Sequence, residues 1–359
     1  MSVRRRWGRP LVPLYAAAQE LKDSLRRAGV LRTRTLRWPV ISVGSLSAGG
    51  AGKTPVVIAL AKLLHDAGWN VDVLSRGYGR EGRGIERVQA GVKDSARKYG
   101  DEPVLIAEQT GVPVWVGADR FAAGRRAEAE ALVTDGGRSV HLLDDGFQHR
   151  GLARNVDVVL VTLEDLDDVL LPQGNLRESV AALQRADVVV VREDEVDAEK
   201  DGGSRSVNRR VWALLRERGQ MWVVGRSLVF PAPLLVFGAG LRPIAFCGIA
   251  RPEGFAAMLH DAGCGVVETV AFPDHHRYTK ADMERLVELA KSVEGSGFVT
   301  TEKDAVKLSG PMREQLEAHG PVMVVTLEAE FADGAAVLRA LEAKLSGGEA
   351  KLPDGEARL

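Results

Sequence analysis

Val40-Ile41-Ser42-Val43-Gly44-Ser45-Leu46-Ser47-Ala48-Gly49-Gly50-Ala51-Gly52-Lys53-Thr54-Pro55 is the stretch that decides the fold. A short β-branched run turns through a glycine-rich loop and closes on Gly-Lys-Thr, ahead of an apolar-periodic segment (Val56, Val57, Leu60, Ala61, Leu64). This is the strand–loop–helix context of a phosphate-binding P-loop. Glycines let backbone N–H groups curl around phosphate oxygens, and the helix N-terminus adds the positive end of its dipole. The nucleotide is therefore expected on Ser47, Ala48, Gly49, Gly50, Ala51, Gly52, Lys53 and Thr54. In this pattern Lys53 reaches the β- and γ-phosphates and the Thr54 hydroxyl ligates Mg²⁺. The strict pattern has Gly where this chain has Ser47. Pro55 fits a first helical turn, where the missing N–H costs nothing.

Beyond residue 40, apolar runs alternate with helical patterns, which predicts a mostly parallel α/β sheet. Strands are expected at Val40–Val43, Val71–Leu74, Val114–Val116, Val140–Leu143, Val156–Val161 and Val188–Val191, with helices at about 55–67, 102–109, 120–132 and 176–185. In open α/β sheets, ligands bind beyond the carboxyl ends of the strands. Three motifs follow those ends: Ser75-Arg76-Gly77-Tyr78-Gly79-Arg80, Gly117-Ala118-Asp119-Arg120 and Asp144-Asp145-Gly146-Phe147-Gln148-His149. The run Ser139–Asp145 is an apolar strand ending in acid, the Walker-B pattern whose carboxylate serves Mg²⁺. Arg76, Arg80 and Arg120 are expected as a set that binds anionic groups.

Asp101, in Tyr99-Gly100-Asp101-Glu102-Pro103, reads on its own as a helix N-cap. The N-cap is the favoured reading from the residues alone; the functional alternative is a base for an acceptor hydroxyl, as in kinases. Glu178, in Leu171–Glu178, suits a helix start or a group near Mg²⁺. A second α/β stretch begins near Leu234, with strands at Ile244–Ile249, Gly265–Ala271 and Met323–Thr326 and helices at Glu253–Ala262 and Ala335–Leu345. Within it, Asp274-His275-His276 lacks a third metal ligand at helical spacing, so an Asp–His pair tuning a proton is the better reading. Thr301 with Asp304 resembles a capping box.

The chain has 359 residues, 45% hydrophobic and 27% charged, enough for two domains with real cores. Aromatic content of 5% argues against a stacking platform for single-stranded nucleic acid. Two cysteines give neither a disulfide framework nor zinc spacing. Net charge is −1, but residues 1–37 hold ten Lys/Arg against Glu20 and Asp23. Leu14, Ala18, Leu21 and Leu25 recur there at helical spacing beside Lys22, Arg26 and Arg27. Such a basic amphipathic helix suits a membrane interface, or packing on the following domain with a solvated basic face. No run is long enough to span a bilayer, and the prolines at 10 and 13 do not fit a signal peptide.

Together these stretches resemble the tetraacyldisaccharide 4′-kinase family of lipid A synthesis. The resemblance is carried by Gly49–Pro55, Arg76–Arg80, Gly100–Pro103, Gly117–Arg120, Asp144–His149, Pro172–Glu178, Asp274–His276 and Thr301-Glu302-Lys303-Asp304-Ala305-Val306-Lys307, in the family's order. It makes Ser47 unexceptional, whereas Ser45 stands where the family usually has Asn. It implies a P-loop NTPase-like core over 38–230, a smaller α/β domain over 231–345, a membrane-associating segment over 1–37 and a disordered tail over 346–359. It further implies transfer of the ATP γ-phosphate to the 4′-hydroxyl of tetraacyldisaccharide 1-phosphate, with Mg²⁺ as cofactor. Catalytic roles then fall to Lys53, Asp101 as base, His275 as its partner and Asp274 behind it. The metal is expected on Thr54, Asp144, Asp145 and Glu178, and substrate contacts on Arg76, Tyr78, Arg120 and Gln148. The implied setting is a peripheral monomer on the anionic cytoplasmic face of the inner membrane, without nucleic acid, whose domains close on substrate. The competing class is a P-loop switch ATPase; a soluble small-molecule kinase with a nucleic-acid-binding arm is a third.

Overall fold

Strands buried on both faces must be apolar nearly throughout. The chain supplies seven: Val40–Ser45 (β1), Asn70–Ser75 (β2), Val114–Val116 (β3), Ser139–Asp144 (β4), Val156–Leu160 (β5), Val188–Arg192 (β6) and Gln220–Val229 (β7). In the computed structural model, they lie parallel in the order β7-β6-β5-β1-β4-β2-β3. The structure describes residues 5–49, 52–92, 94–131, 137–197, 207–215, 219–231 and 242–346. Thus Gly50, Ala51 and nearly all of the expected tail lie outside the described residues. Pairing of β1 with β4 sets Val43 opposite Asp144, so the P-loop strand and the acid-tipped strand are neighbours.

The chain divides into two compact units: residues 1–76, 112–225 and 330–359 form the first, and 77–111 with 226–329 the second. The break after 225 lies close to the boundary expected at 230, but residues 77–111 fall in the second unit and 330–345 in the first. The excursion leaves after β2 and returns before β3. At its base, Gly77 has a φ of 67°, and a Cβ there would fall 2.7 Å from the Tyr99 carbonyl oxygen. The helix Asp101–Thr110 from this excursion packs on the short helix Glu302–Ala305. Lys303 holds Glu102 at 2.9 Å, and Gln109 donates to Glu302.

The second unit has its own parallel sheet, Pro243–Cys247 (β8), Glu268–Ala271 (β9), Gly297–Thr301 (β10) and Val322–Phe331 (β11), in the order β9-β8-β10-β11. Phe246, Phe298, Met283 and Leu286 fill its core on one face. The helix Lys280–Ser292 starts on a full capping box between Thr279 and Asp282.

The expected helix at 176–185 is a 3₁₀ turn over Val180–Arg185 only. Residues 176 and 177 cannot enter a helix, because their N–H groups bond the Val169 and Leu46 carbonyls. Strand β7 had no counterpart in the sequence reading. At the N-terminus, a 3₁₀ turn (Arg6–Leu11) leads into the helix Val12–Arg27. That helix is held by polar contacts: the Tyr15 hydroxyl donates to the Arg177 carbonyl at 3.0 Å, and Gln19 donates there too. Its leucine stripe faces solvent, with Leu14 69% and Leu21 61% exposed, while Arg26 is buried.

Candidate active site

In the first unit, β1 delivers the chain into the P-loop and the helix Lys53–Asp66 carries it away. Gly52, with φ at 87°, caps that helix without a side-chain bond, so the first-turn N–H groups have no side-chain acceptor at the cap. Lys53 Nζ donates to Ser45 Oγ at 3.2 Å and lies 3.5 Å from Asp145 Oδ1. The loop is tied down where Ala48 N–H bonds the Asn175 carbonyl at 2.8 Å. Gly44 admits the Phe147 backbone: a Cβ there would stand 2.5 Å from Phe147 Cβ.

Asp144, at the end of β4, is buried and accepts from Ser75 Oγ at 2.8 Å. Asp145 follows with φ at 49° and receives Arg177 at 2.7 Å. Burial alone would raise the Asp145 carboxyl, but Lys53 and Arg177 hold it below the usual carboxylate range. Apart from the Lys53 ammonium at 3.5 Å, its buried Oδ1 has no hydrogen-bond partner among the described residues. With the Thr54 hydroxyl, these carboxylates form a hard-oxygen donor set that fits Mg²⁺, which takes only one or two protein carboxylates in phosphate sites. Glu178, also expected at the metal, is held by Arg185 through Oε2 at 2.9 Å, while its Oε1 is buried without a hydrogen-bond partner among the described residues.

Asp119 N-caps the helix Arg120–Glu130 and leaves Arg120 buried at its first position. Burial and the nearby Arg76 charge push the Arg120 guanidinium down, while Asp144 and Asp145 pull it up, so these four residues share one electrostatic neighbourhood. Arg120 Nε lacks a hydrogen-bond partner among the described residues. Gln148, expected on substrate, is spent within the loop: its Nε2 donates to the Ser45 carbonyl at 3.0 Å, and its Oε1 accepts from Arg177 at 3.2 Å.

In the second unit, Asp101 and His275 meet. Asp101 opens its helix after Gly100, 8% exposed, with Oδ1 accepting from Glu102 N–H and Oδ2 bonded to His275 Nδ1 at 3.0 Å. Burial would raise the Asp101 carboxyl, yet the His275 bond and the Lys303 and Lys307 charges bring it to about 2. The bond to Asp101 raises the His275 imidazole against the opposing effects of burial and Lys303. Asp274 Oδ2 lies 3.9 Å from His275 Nε2, and the exposed Tyr78 ring tilts against the imidazole at 5.3 Å. His276 turns away to Asp282 at 3.1 Å. The pair lines an open cleft of about 800 Å³ with Tyr278, Lys307, Met312 and Arg313.

A family model described as tetraacyldisaccharide-1-P 4′-kinase matches residues 4–346. The chain belongs to that family. Similar relatives are the tetraacyldisaccharide 4′-kinases of Koribacter versatilis, 39% identical over 92% of this chain and 96% of the relative, and of Syntrophus aciditrophicus, 40% identical over 84% and 83%. Among solved structures, the crystal structure titled "apo" form LpxK from Aquifex aeolicus in complex with ATP superposes with a TM-score of 0.71, at 30% identity over 94% of this chain and 98% of that one. The expected mostly parallel α/β kinase fold holds.

Within this family frame, the structure brings Lys53, Asp145 and Arg177 together in one unit and Asp101, His275 and Asp274 in the other. Three participants were missed in the sequence: Ser75 on Asp144, Arg177 on Asp145 and Lys307 beside Asp101. Arg177 stood in the quoted Pro172–Glu178 motif, where the acid drew the assignment instead.

Proposed function

We propose that this protein transfers the γ-phosphate of ATP to the 4′-hydroxyl of tetraacyldisaccharide 1-phosphate in lipid A synthesis. Such transfer needs positioning and charge neutralisation more than covalent chemistry. Lys53, the P-loop amides and the helix N-terminus bind and orient the phosphates. Thr54, Asp144 and Asp145 would hold Mg²⁺, which neutralises phosphate charge when bound. Arg76 and Arg120 supply further positive charge for anionic groups.

The observation that carries the kinase reading over a switch ATPase is the buried Asp101–His275 bond, because a switch protein has no acceptor hydroxyl to deprotonate. In this reading the base is His275 rather than Asp101, a departure from the role the resemblance implied. A carboxyl near 2 is a poor proton acceptor, whereas the bond to Asp101 makes the His275 imidazole the more basic member of the pair. Asp101 holds the Nδ1 proton of His275, leaving the Nε2 lone pair for the substrate. As the 4′-oxygen bonds to the γ-phosphorus and the bond to ADP breaks, the hydroxyl proton passes to Nε2. The resulting imidazolium is stabilised by Asp101 and Asp274.

The exposed stripe of Leu14, Leu21 and Leu25, with Trp7 and Leu11, lies on the anionic cytoplasmic face of the inner membrane, where basic residues of the same segment meet lipid headgroups. Among the described residues no helix is long and apolar enough to cross a membrane.

The test follows label from γ-labelled ATP with Mg²⁺ and detergent-dispersed tetraacyldisaccharide 1-phosphate. Label on the lipid, lost in His275→Ala while ATP still binds, supports the scheme. Label released only as inorganic phosphate, at a rate indifferent to lipid, supports the switch ATPase instead.

A further inference from the structure

The stretch Thr301–Lys307 supplies Lys303 and Lys307 to the surroundings of Asp101, but the scheme above gives it no step of its own. Thr301 caps the short helix that follows β10, accepting from Asp304 N–H at 3.1 Å. The Asp304 carboxylate, however, does not close a capping box on the Thr301 backbone N–H. Fully buried, it accepts from Gly248 N–H at 3.0 Å, the Thr301 hydroxyl at 2.7 Å and Lys307 Nζ at 2.8 Å. A buried carboxylate with three donors is rigid, so it fixes the ammonium that it binds.

Lys307 Nζ then stands 3.8 Å from Asp101 Oδ2, the same oxygen that bonds His275. It also reaches the Gly248 carbonyl at 3.5 Å, and that carbonyl accepts His275 N–H at 3.1 Å. His275 has φ at 58°, a left-handed conformation that a residue other than glycine keeps only where its neighbours impose it. One buried clasp thus touches both members of the pair: the ammonium faces the Asp101 carboxylate, and the Gly248 peptide holds the His275 backbone.

We propose that Lys307, anchored by Asp304, is a positioning residue that fixes the Asp101–His275 pair for proton transfer, an inference that rests on His275 being the base. The charged groups facing the pair are Asp274 and Lys303 beside His275, Glu102 and Lys303 beside Asp101, and Lys307 with Asp304 behind them. Lys307 is the cation that the buried carboxylate network aims at Asp101. Without it, the Asp101 charge acts on His275 with less compensation, so the imidazole holds its proton more tightly.

The test is the pH profile of lipid phosphorylation in Lys307→Met, Lys307→Arg and the pair Lys307→Met/Asp304→Asn. The paired change avoids leaving Asp304 buried without its cation. Expected for both Met variants is a kcat loss of about 10- to 100-fold, the scale for removing a group that orients a catalytic one. KM for ATP stays unchanged, and the acid limb of kcat/KM moves to higher pH. Lys307→Arg returns the limb toward its original position. Adding Lys307→Met to His275→Ala causes no further loss if Lys307 acts through His275. Full activity in both Met variants, an unmoved acid limb, or a further multiplied loss in the His275→Ala background overturns the proposal and leaves the base reading standing. Undiminished transfer by His275→Ala itself overturns both.

Discussion

The P-loop cluster and the Asp101–His275 cluster handle charge in opposite ways. Around Asp145, two cations hold a carboxylate ionised at a place where phosphate must be gripped. Around His275, a carboxylate raises an imidazole where a proton must be received. In the proposed scheme the first cluster is a fixed field, and the second is a group that changes charge during turnover. Nucleotide binding and acceptor activation should therefore separate under mutation.

Lys53→Ala tests the fixed field and carries the largest expected effect: transfer falls by about 10³-fold, the scale for removing a preorganised charge donor. ATP affinity falls with it, measured by calorimetry. Retained ATP affinity would break the comparison, because Lys53 would then not be gripping phosphate. His275→Ala should cost about 10²-fold in transfer, the lower range for a general base. ATP binding is expected to stay intact, and weakened binding would mean that the clusters do not separate.

Asp101→Asn sharpens the second half. A base works only when deprotonated, so transfer falls as pH drops through the His275 pKa. Replacing Asp101 removes the bond and charge that raise that pKa, so the acid limb should move to lower pH while the plateau rate drops. A limb that stays put would assign it to another group. The smallest effect concerns neither cluster. Leu14→Glu or Leu21→Glu should each weaken co-sedimentation with anionic vesicles by about tenfold, from one leucine no longer buried in lipid. Unchanged sedimentation would return the leucine stripe to an ordinary exposed surface.

The same contrast explains what could be read from the chain. The P-loop and the Asp144-Asp145 pair were legible because strand, loop and helix follow one another, and β1 pairs directly with β4. Asp101 looked like a cap because its neighbours, Gly100 and Pro103, suffice for one. Its partner His275 lies 174 residues away, so the residues around Asp101 could not point to it; the family resemblance did, and the packing of the 77–111 excursion brings the two together. Asp304 misled in the same manner: Thr301 does cap the helix, but the carboxylate is drawn to Gly248 and Lys307. The helix expected at 176–185 failed because its first residues give their N–H groups to Val169 and Leu46. Strand β7 escaped notice because Gly225 and Arg226 interrupt its apolar run.

The 77–111 excursion also bears on how such an enzyme can be rearranged. Asp101 enters the second unit from the middle of the first unit's sequence, whereas His275 belongs to the later stretch 226–329. A recombination event that exchanged only that later stretch between two relatives would inherit one member of the pair and leave the other behind. The acceptor chemistry of this protein therefore cannot travel as a single cassette, and a chimaera will keep it only where both stretches share one parent or match by descent.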